Sequence, residues 1–250
     1  MKVTLLVPVL NVEPQLPQTL QGLTPIREDH DIEVLIVVDV PDPARAREVR
    51  ERIDAVAAAL EASAIYRVGE RGFGSALRHG FARASGDVVI PLMADASDEP
   101  RDIVRLVDTL TEGWDIVAGS RYMPGGLIIG NTGKQRLSRL YGALVRLLGN
   151  LPVRDVSNSF KAYRREVLDA VDSQAESYDI SAELTVKAHQ AGYRITEIPT
   201  VWTNRQAGES NWRFLPELRR YVRWLALAAS RRRTSVPGDK DPRTQEGGDP

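Results

Sequence analysis

The chain reads Gly86-Asp87-Val88-Val89-Ile90-Pro91-Leu92-Met93-Ala94-Asp95-Ala96-Ser97-Asp98-Glu99-Pro100, so an apolar run ends in the carboxylates of Asp95 and Asp98. The helix-period set Ile103, Leu106, Val107 and Leu110 follows. This pattern predicts a buried strand that delivers both acids to the carboxyl end of a sheet, the edge where open α/β sheets bind ligands. Acids in that place suit a divalent cation held against a phosphorylated substrate. Magnesium takes one or two protein carboxylates and completes its shell with water and phosphate oxygens. The same residues have a second use. Ser, Asp and Glu ahead of a first-turn proline satisfy free N–H groups and complement the helix dipole, so the spacing alone leaves metal site and helix cap both open.

Other predicted strand ends carry polar groups suited to a nucleotide. The first strand ends in Pro8-Val9-Leu10-Asn11-Val12-Glu13, the second in Asp39 and the fifth in Ser120-Arg121. A carboxylate at a strand end accepts hydrogen bonds from a base imino group or a ribose hydroxyl, and the planar fork of Arg121 can hold phosphate. The segment Arg71-Gly72-Phe73-Gly74-Ser75-Ala76 lies between a strand and a helix. It lacks both the third glycine of the dinucleotide fingerprint and the Gly-Lys-Ser/Thr ending of a P-loop, which predicts a structural turn whose backbone touches the ligand. His30, His79 and His189 share no ligand spacing, so no catalytic histidine is expected.

These groups need a scaffold, and the chain supplies one. Apolar runs at Val3–Pro8, Glu33–Asp39, Ala64–Val68, Asp87–Leu92 and Asp115–Gly119 alternate with helix-like segments such as Ala44–Leu60. That alternation predicts a mainly parallel α/β sheet with helices on both faces. Tyr122 to Gly133, with four glycines and a proline, is expected to be a mobile loop. A helix from Arg136 to Leu148, a strand from Phe160 to Tyr163, a helix from Ala182 to Ala191 and a strand from Arg194 to Pro199 follow. At 250 residues and 42% hydrophobic, the chain is sized for one large domain with appendages. We expect a catalytic domain over residues 1–211, an amphipathic helix over 212–230 and a disordered tail over 231–250 rich in Pro, Gly and charge.

The formal net charge of -1 argues against nucleic acid as a partner. Without cysteine there are no disulfides or thiolate metal sites, and Met1-Lys2 leads into a strand rather than a signal peptide, so the expected location is cytoplasmic. No apolar run approaches the roughly 20 residues that span a bilayer, so membrane contact would be peripheral, at the cytoplasmic face. The helix at Trp212–Ala229 sets Phe214, Leu218, Tyr221, Leu225 and Ala229 on one face, with Leu215 and Val222 beside them, and Arg219, Arg220 and Arg223 on the other. Arg231-Arg232-Arg233 follow. Such a helix can lie in an anionic membrane surface or pack on the domain with its arginines in water.

In order and spacing the chain resembles family 2 glycosyltransferases of the GT-A fold, and among them the polyprenyl-phosphate (dolichyl-phosphate) hexose synthases. The resemblance spans roughly residues 3 to 215. It rests on Val7 to Glu13, Ile36 to Asp39, Gly72 to Gly80, Gly86 to Pro100, and Gly119-Ser120-Arg121-Tyr122 with Gly125-Gly126. Asp155 with Ser159 to Leu168, Glu183-Leu184, Arg194 to Pro199, and Arg205 with Gly208 and Ser210 extend it. The resemblance implies a nucleoside-diphosphate sugar with Pro8, Leu10 and Asp39 around its base, and Asn11, Glu13, Val38, Gly72, Met93, Ala94, Glu183 and Ser210 completing the pocket. It places Mg2+ or Mn2+ at Asp95, with Ser97 and Asp98 as further ligands, and sets Arg121 and Arg205 near phosphate as catalytic partners of Asp95.

Departures from the family pattern are local. Met93-Ala94-Asp95 stands where Asp-Ala-Asp is usual, Val12 replaces an acid, Val40-Pro41-Asp42 replaces Asp-Gly-Ser, Asn158-Ser159 stands for Ser-Gly, and Asn211 replaces a lysine. The activity implied is inverting transfer of a hexose to polyprenyl phosphate, an acceptor already anionic that needs no strong base. A soluble glycan or metabolite acceptor would need one, with Asp155, Asp179 and Glu183 as candidates. A nucleotide-sugar-binding partner subunit without turnover is the remaining reading.

Overall fold

In the computed structural model, which describes residues 1–130, 134–204 and 214–230, the apolar runs build a seven-stranded sheet. Its strands are β1 (Val3–Leu10), β2 (Ile32–Val40), β3 (Ser63–Val68), β4 (Val88–Pro91), β5 (Ile116–Ser120), β7 (Lys161–Arg164) and β8 (Ile195–Pro199). They lie in the order β3-β2-β1-β4-β7-β5-β8. The pairs β1–β2, β2–β3, β1–β4 and β5–β8 are parallel, whereas β7 runs antiparallel between β4 and β5. Chain order moves outward from β1 to β3 and then returns to β4 on the other side of β1. That reversal opens a crevice at the carboxyl ends of β1 and β4, the switch point where doubly wound sheets bind ligands.

Period-two alternation splits the sheet's apolar residues between two cores. Leu5, Val7, Val9, Ile36 and Val38 face one side, where Val49 and Ile53 of α3 (Ala46–Ala59) and Ile103, Leu106 and Leu110 of α5 (Arg101–Thr111) pack on them. Leu6, Leu35 and Val37 face the other side, against α4 (Phe73–Phe81), α6 (Lys134–Gly149), α8 (Ile180–Gln190) and α9 (Phe214–Ala229). Both faces are dry, as parallel strands require.

Three departures from the sequence reading matter for the site. Between the first two strands the expected helix-like segment is two short helices, α1 (Leu16–Gln21) and α2 (Thr24–Asp29), each too short to show a helical period. The glycine-rich stretch expected to be a mobile loop contains β6 (Leu127–Ile129), which pairs in parallel with β9 (Val201–Thr203). Its partner lies more than seventy residues away, so no local signal announces the pairing. A short helix, α7 (Arg165–Ala170), also follows β7 directly.

The amphipathic helix α9 uses its apolar face on the protein. Trp224 and Ala228 are buried in the second core, and Tyr221 and Leu225 pack beside them. The Trp224 indole N–H donates to Asp179 Oδ2 at 2.7 Å, and Tyr141 meets Tyr221 edge-on at 4.8 Å between ring centroids. Of the face set out for an anionic surface, Tyr221 and Leu225 pack on the core while Val222 and Ala229 are exposed; the tail 231–250 lies outside the described residues. Replacing Trp224 with Ala should lower unfolding stability by about 3–5 kcal/mol in urea titrations, because the cavity and the unpaired Asp179 carboxylate both weigh on the folded state.

Candidate active site

The turn after β4 carries Asp95. Leu92 N–H still bonds Leu6 O at 2.9 Å, and the backbone then leaves the sheet. Thr19 of α1 grips the turn from behind: its hydroxyl donates to Ala94 O and accepts from Ala96 N–H, both at 3.0 Å. Ala96 sits at φ +54°, a left-handed conformation unfavourable for a residue with a Cβ, and the Thr19 bonds help hold it there. Asp95 Oδ1 accepts Ser97 N–H at 3.2 Å, and the carboxylate reaches the cleft beside Met93 and Ala94. Thr19 has no place in the family motifs quoted above; only the contact across 75 positions exposes its role.

Asp98 neither caps a helix nor lines the cleft. At the N-terminus of helix α5 the N-cap residue is Pro100, and the first-turn N–H of Arg101 donates to Glu99 Oε1 at 3.4 Å. Asp98 turns inward, where Oδ2 accepts Met93 N–H at 3.0 Å, and its backbone bridges Trp202. Burial pushes its carboxyl up to about 7, the charges of Asp95 and Asp102 add to the rise, and Met93 N–H and Arg121 oppose it. Ser97 is equally enclosed; its carbonyl accepts Thr203 N–H at 2.9 Å. Of the three expected metal ligands, only Asp95 lines the cleft, and no cluster of three potential ligand side chains occurs among the described residues. One carboxylate facing an open cleft still fits Mg2+ or Mn2+, which takes its other oxygens from water and a diphosphate.

The opposite end of the cleft is built around Asp39. In parallel register Leu10 stands beside Asp39 and Val9 beside Val38, so Pro8, Leu10 and Asp39 share one side of the sheet and reach the cleft. Val38 necessarily faces the other way, wholly buried in the first core, and its side chain is not available to a substrate. Asn11 forms the turn itself, at φ +57° with its N–H on Asp39 O at 2.8 Å. The Asp39 carboxylate accepts Gly72 N–H at 2.8 Å through Oδ2, while Oδ1 lies 3.0 Å from Arg67 Nε as an ion pair that is not aligned as a hydrogen bond. Burial raises its pKa against Arg67 and Gly72 N–H, which lower it. Arg67 was legible in principle: it is a lone charge within β3, directly across from Asp39.

Gly72 and Gly74 serve the turn reading. A Cβ on Gly74 would fall 2.6 Å from Ala175 O and 2.7 Å from Ser177 O, and Gly74 N–H donates to Glu176 O at 3.0 Å. The close approach sets the segment 175–178 as the third wall, where Tyr178 stacks on Phe73 at 4.8 Å. Glu183 stands behind this wall rather than in the cleft. It is fully buried and accepts from Ser173 Oγ, Gln174 N–H, Ala175 N–H and Lys187 Nζ, which together outweigh burial and hold its pKa down.

Arg121 is locked. Its Nε and one terminal nitrogen clasp Asp155 at 2.7 and 2.9 Å, and its own N–H bonds the same carboxylate at 3.1 Å. One edge of the fork expected to hold phosphate is engaged by Asp155, whose pKa Arg121 holds below the usual range despite complete burial. Beneath them Lys161 is fully buried with Nζ on the carbonyls of Val156 and Asn158, and burial pulls its pKa down to about 7. Arg205 and Ser210 lie outside the described residues.

Residues 4–172 match the model for Glycosyl transferase family 2. The chain belongs to this family. Among curated proteins, family members similar to it include the polyprenol monophosphomannose synthase of Mycolicibacterium smegmatis, 30% identical over 70% of this chain and 69% of that protein. The undecaprenyl-phosphate mannosyltransferase of Micrococcus luteus is 28% identical over 84% and 87% of the two chains. The dolichol-phosphate mannosyltransferase of Pyrococcus furiosus is 27% identical over 90% of this chain, which spans 64% of that protein. Crystal structures of glucosyl-3-phosphoglycerate synthase from Mycobacterium tuberculosis, one with Mn2+ and UDP and another with Mg2+ and UDP, share the fold. They give TM-scores of 0.65 and 0.64 at 20% and 21% identity, and both matches cover 95% of this chain and 81% of that enzyme. The Met93 sulfur accepts from Ser159 Oγ at 3.8 Å.

Two measurements check this geometry. Gly74→Ala must push the 175–178 wall outward, so it should lower the melting temperature by an amount equivalent to about 1–3 kcal/mol and weaken nucleotide binding in titrations. For Lys161 the folded pKa of about 7 lies below the unfolded 10.5, so the unfolded chain binds more protons between those values. Wild-type stability relative to Lys161→Met should therefore rise as pH increases from 7 towards 10.5, read as urea midpoints across that range.

Proposed function

We propose that this family 2 enzyme transfers a mannosyl group from a nucleoside-diphosphate sugar to a polyprenyl phosphate, with inversion at the anomeric carbon. The observation that carries the choice of acceptor is the state of the three carboxylates that could serve as a base. Asp155 clasps Arg121, Asp179 accepts the Trp224 indole, and Glu183 holds the 173–175 segment and Lys187. None of the three lines the cleft. A hydroxyl acceptor would need a base, a role for which none of these three is placed, whereas a phosphate oxygen is already anionic near neutral pH and needs only positioning. The names of the relatives, all polyprenyl- or dolichyl-type mannosyl transferases, support the same class and the mannosyl donor.

In this reading Asp39, backed by Arg67 and Gly72 N–H, receives the base beside Pro8 and Leu10, and Asp95 would hold Mg2+ or Mn2+ near the diphosphate. The cation, when bound, supplies charge neutralisation to the leaving group. The acceptor oxygen attacks the anomeric carbon from the opposite face, the bond to the diphosphate oxygen breaks, and its electron pair leaves with the nucleoside diphosphate. No proton moves. Arg121 is held in place by Asp155, so its guanidinium needs no reorganisation step. Among the described residues no helix is long and apolar enough to cross a membrane, so the reading has the enzyme meeting its lipid acceptor at the bilayer surface.

With a short-chain polyprenyl phosphate as acceptor, Asp95→Asn should lower kcat by about 100- to 1000-fold, and a chelator should abolish transfer until Mg2+ or Mn2+ is restored. Undiminished turnover in the Asn variant would refute the metal assignment. Donor binding without transfer to any acceptor would instead mark a binding subunit.

A further inference from the structure

Helix α6 leaves an apolar ridge uncovered. Leu140, Leu144, Leu147 and Leu148, spaced to fall on one helical face, are 57%, 38%, 78% and 40% exposed. Val145 and Gly142 on the opposite face pack inward, with a Gly142 Cβ position only 2.4 Å from Arg154 O. Scattered exposed leucines are ordinary, whereas four on one face of one helix form a patch that marks an interaction surface. The neighbouring helix α9 lies alongside in the same direction, Tyr141 against Tyr221 at one end and Gly149 against Ala228 at the other.

Charge identifies the occupant. The α6 sequence carries Lys134, Arg136, Arg139 and Arg146 and no acid, within a chain whose net charge is -1. Exposed Arg219 and Arg223 extend the basic character on α9. A second copy of this chain meeting the ridge symmetrically would set these arginines against themselves. Exposed leucines on a helix that carries arginines and no acid suit the headgroup boundary of an anionic bilayer.

We propose that the α6 ridge, and not the apolar face of α9, is the surface that docks this enzyme on anionic membranes. The other side of α6 packs on the corner where Tyr122 follows Arg121: Ser138 Oγ meets Ser157 Oγ at 2.8 Å, Tyr122 OH donates to Gln135 O at 3.3 Å, and Arg139 lies over the Tyr122 ring at 5.4 Å. A bilayer under the ridge therefore lies about one helix diameter, roughly 10 Å, from that corner. The geometry stands by itself; its purpose, presenting a lipid phosphate to the cleft, rests on the proposed acceptor.

The test floats the full-length chain with vesicles of phosphatidylcholine mixed with phosphatidylglycerol and with vesicles of phosphatidylcholine alone. Wild type should float with the anionic vesicles, less so at high salt, and poorly with the neutral ones. Leu144→Gln combined with Leu147→Gln should weaken partitioning roughly tenfold or more, and Arg146→Gln about fivefold. Melting temperature and turnover of a water-soluble, short-chain polyprenyl phosphate should be unchanged in the double leucine variant. Flotation equal to wild type in that variant overturns the proposal, as does a wild-type dimer that the same variant converts to monomer. If neither protein turns over the soluble acceptor while the flotation difference holds, docking stands and the proposed acceptor falls.

Discussion

Asp95 reaches the cleft because the chain leaving β4 is held from two sides. Thr19 bonds Ala94 O and Ala96 N–H from α1, and Asp98 takes Met93 N–H from within the protein. Between these supports the backbone passes through a left-handed alanine, a conformation that persists only where its surroundings overdetermine it. Helix α1 packs Leu16 and Leu20 in the same core as Leu92 and Ala94. Position of the acid is thus tied to the dry core beneath the sheet, and a carboxylate placed this way needs no reorganisation to meet a cation.

A second layer of buried charge sits behind the first. Arg121, Asp155 and Lys161 are enclosed together, the arginine and aspartate as a bidentate pair and the lysine on two carbonyls. Such burial adds little net stability, since desolvation offsets most of the attraction. Its effect is geometric. The pair joins the end of β5 to the segment entering β7, and Asn158 adds a bond to Gly119 O at 2.8 Å across the same gap. An antiparallel β7 is what brings those segments face to face.

Helices α6 and α9 divide two tasks that one amphipathic pattern would confuse. In α9 the aromatic and aliphatic face closes the second core through Tyr221, Trp224 and Ala228. In α6 the narrow inward face is made of Ser138, Gly142 and Val145, small enough for the backbone to approach the Arg154 loop, and its larger leucines remain outside. Helical period in the sequence identifies both helices equally well; which face is covered depends on the partner each one finds.

Strand runs, their alternation with helices, the turn at Gly72 and Gly74, and the placing of Pro8, Leu10, Asp39 and Asp95 at strand ends were all legible from apolar period and residue type. These features are local, and the physics that produces them acts over a few residues. Thr19 behind Asp95, the 175–178 wall and the β6–β9 pair were not legible, since each depends on contacts between distant segments. The same distinction separates the acids. By itself the sequence determined that acids stand at the carboxyl end of a buried strand, because an apolar run must stop where polar groups begin. Only the tertiary structure decided that Asp95 faces the cleft while Asp98, Asp155 and Glu183 turn inward, since a carboxylate's direction follows from the N–H groups and cations that surround it after folding.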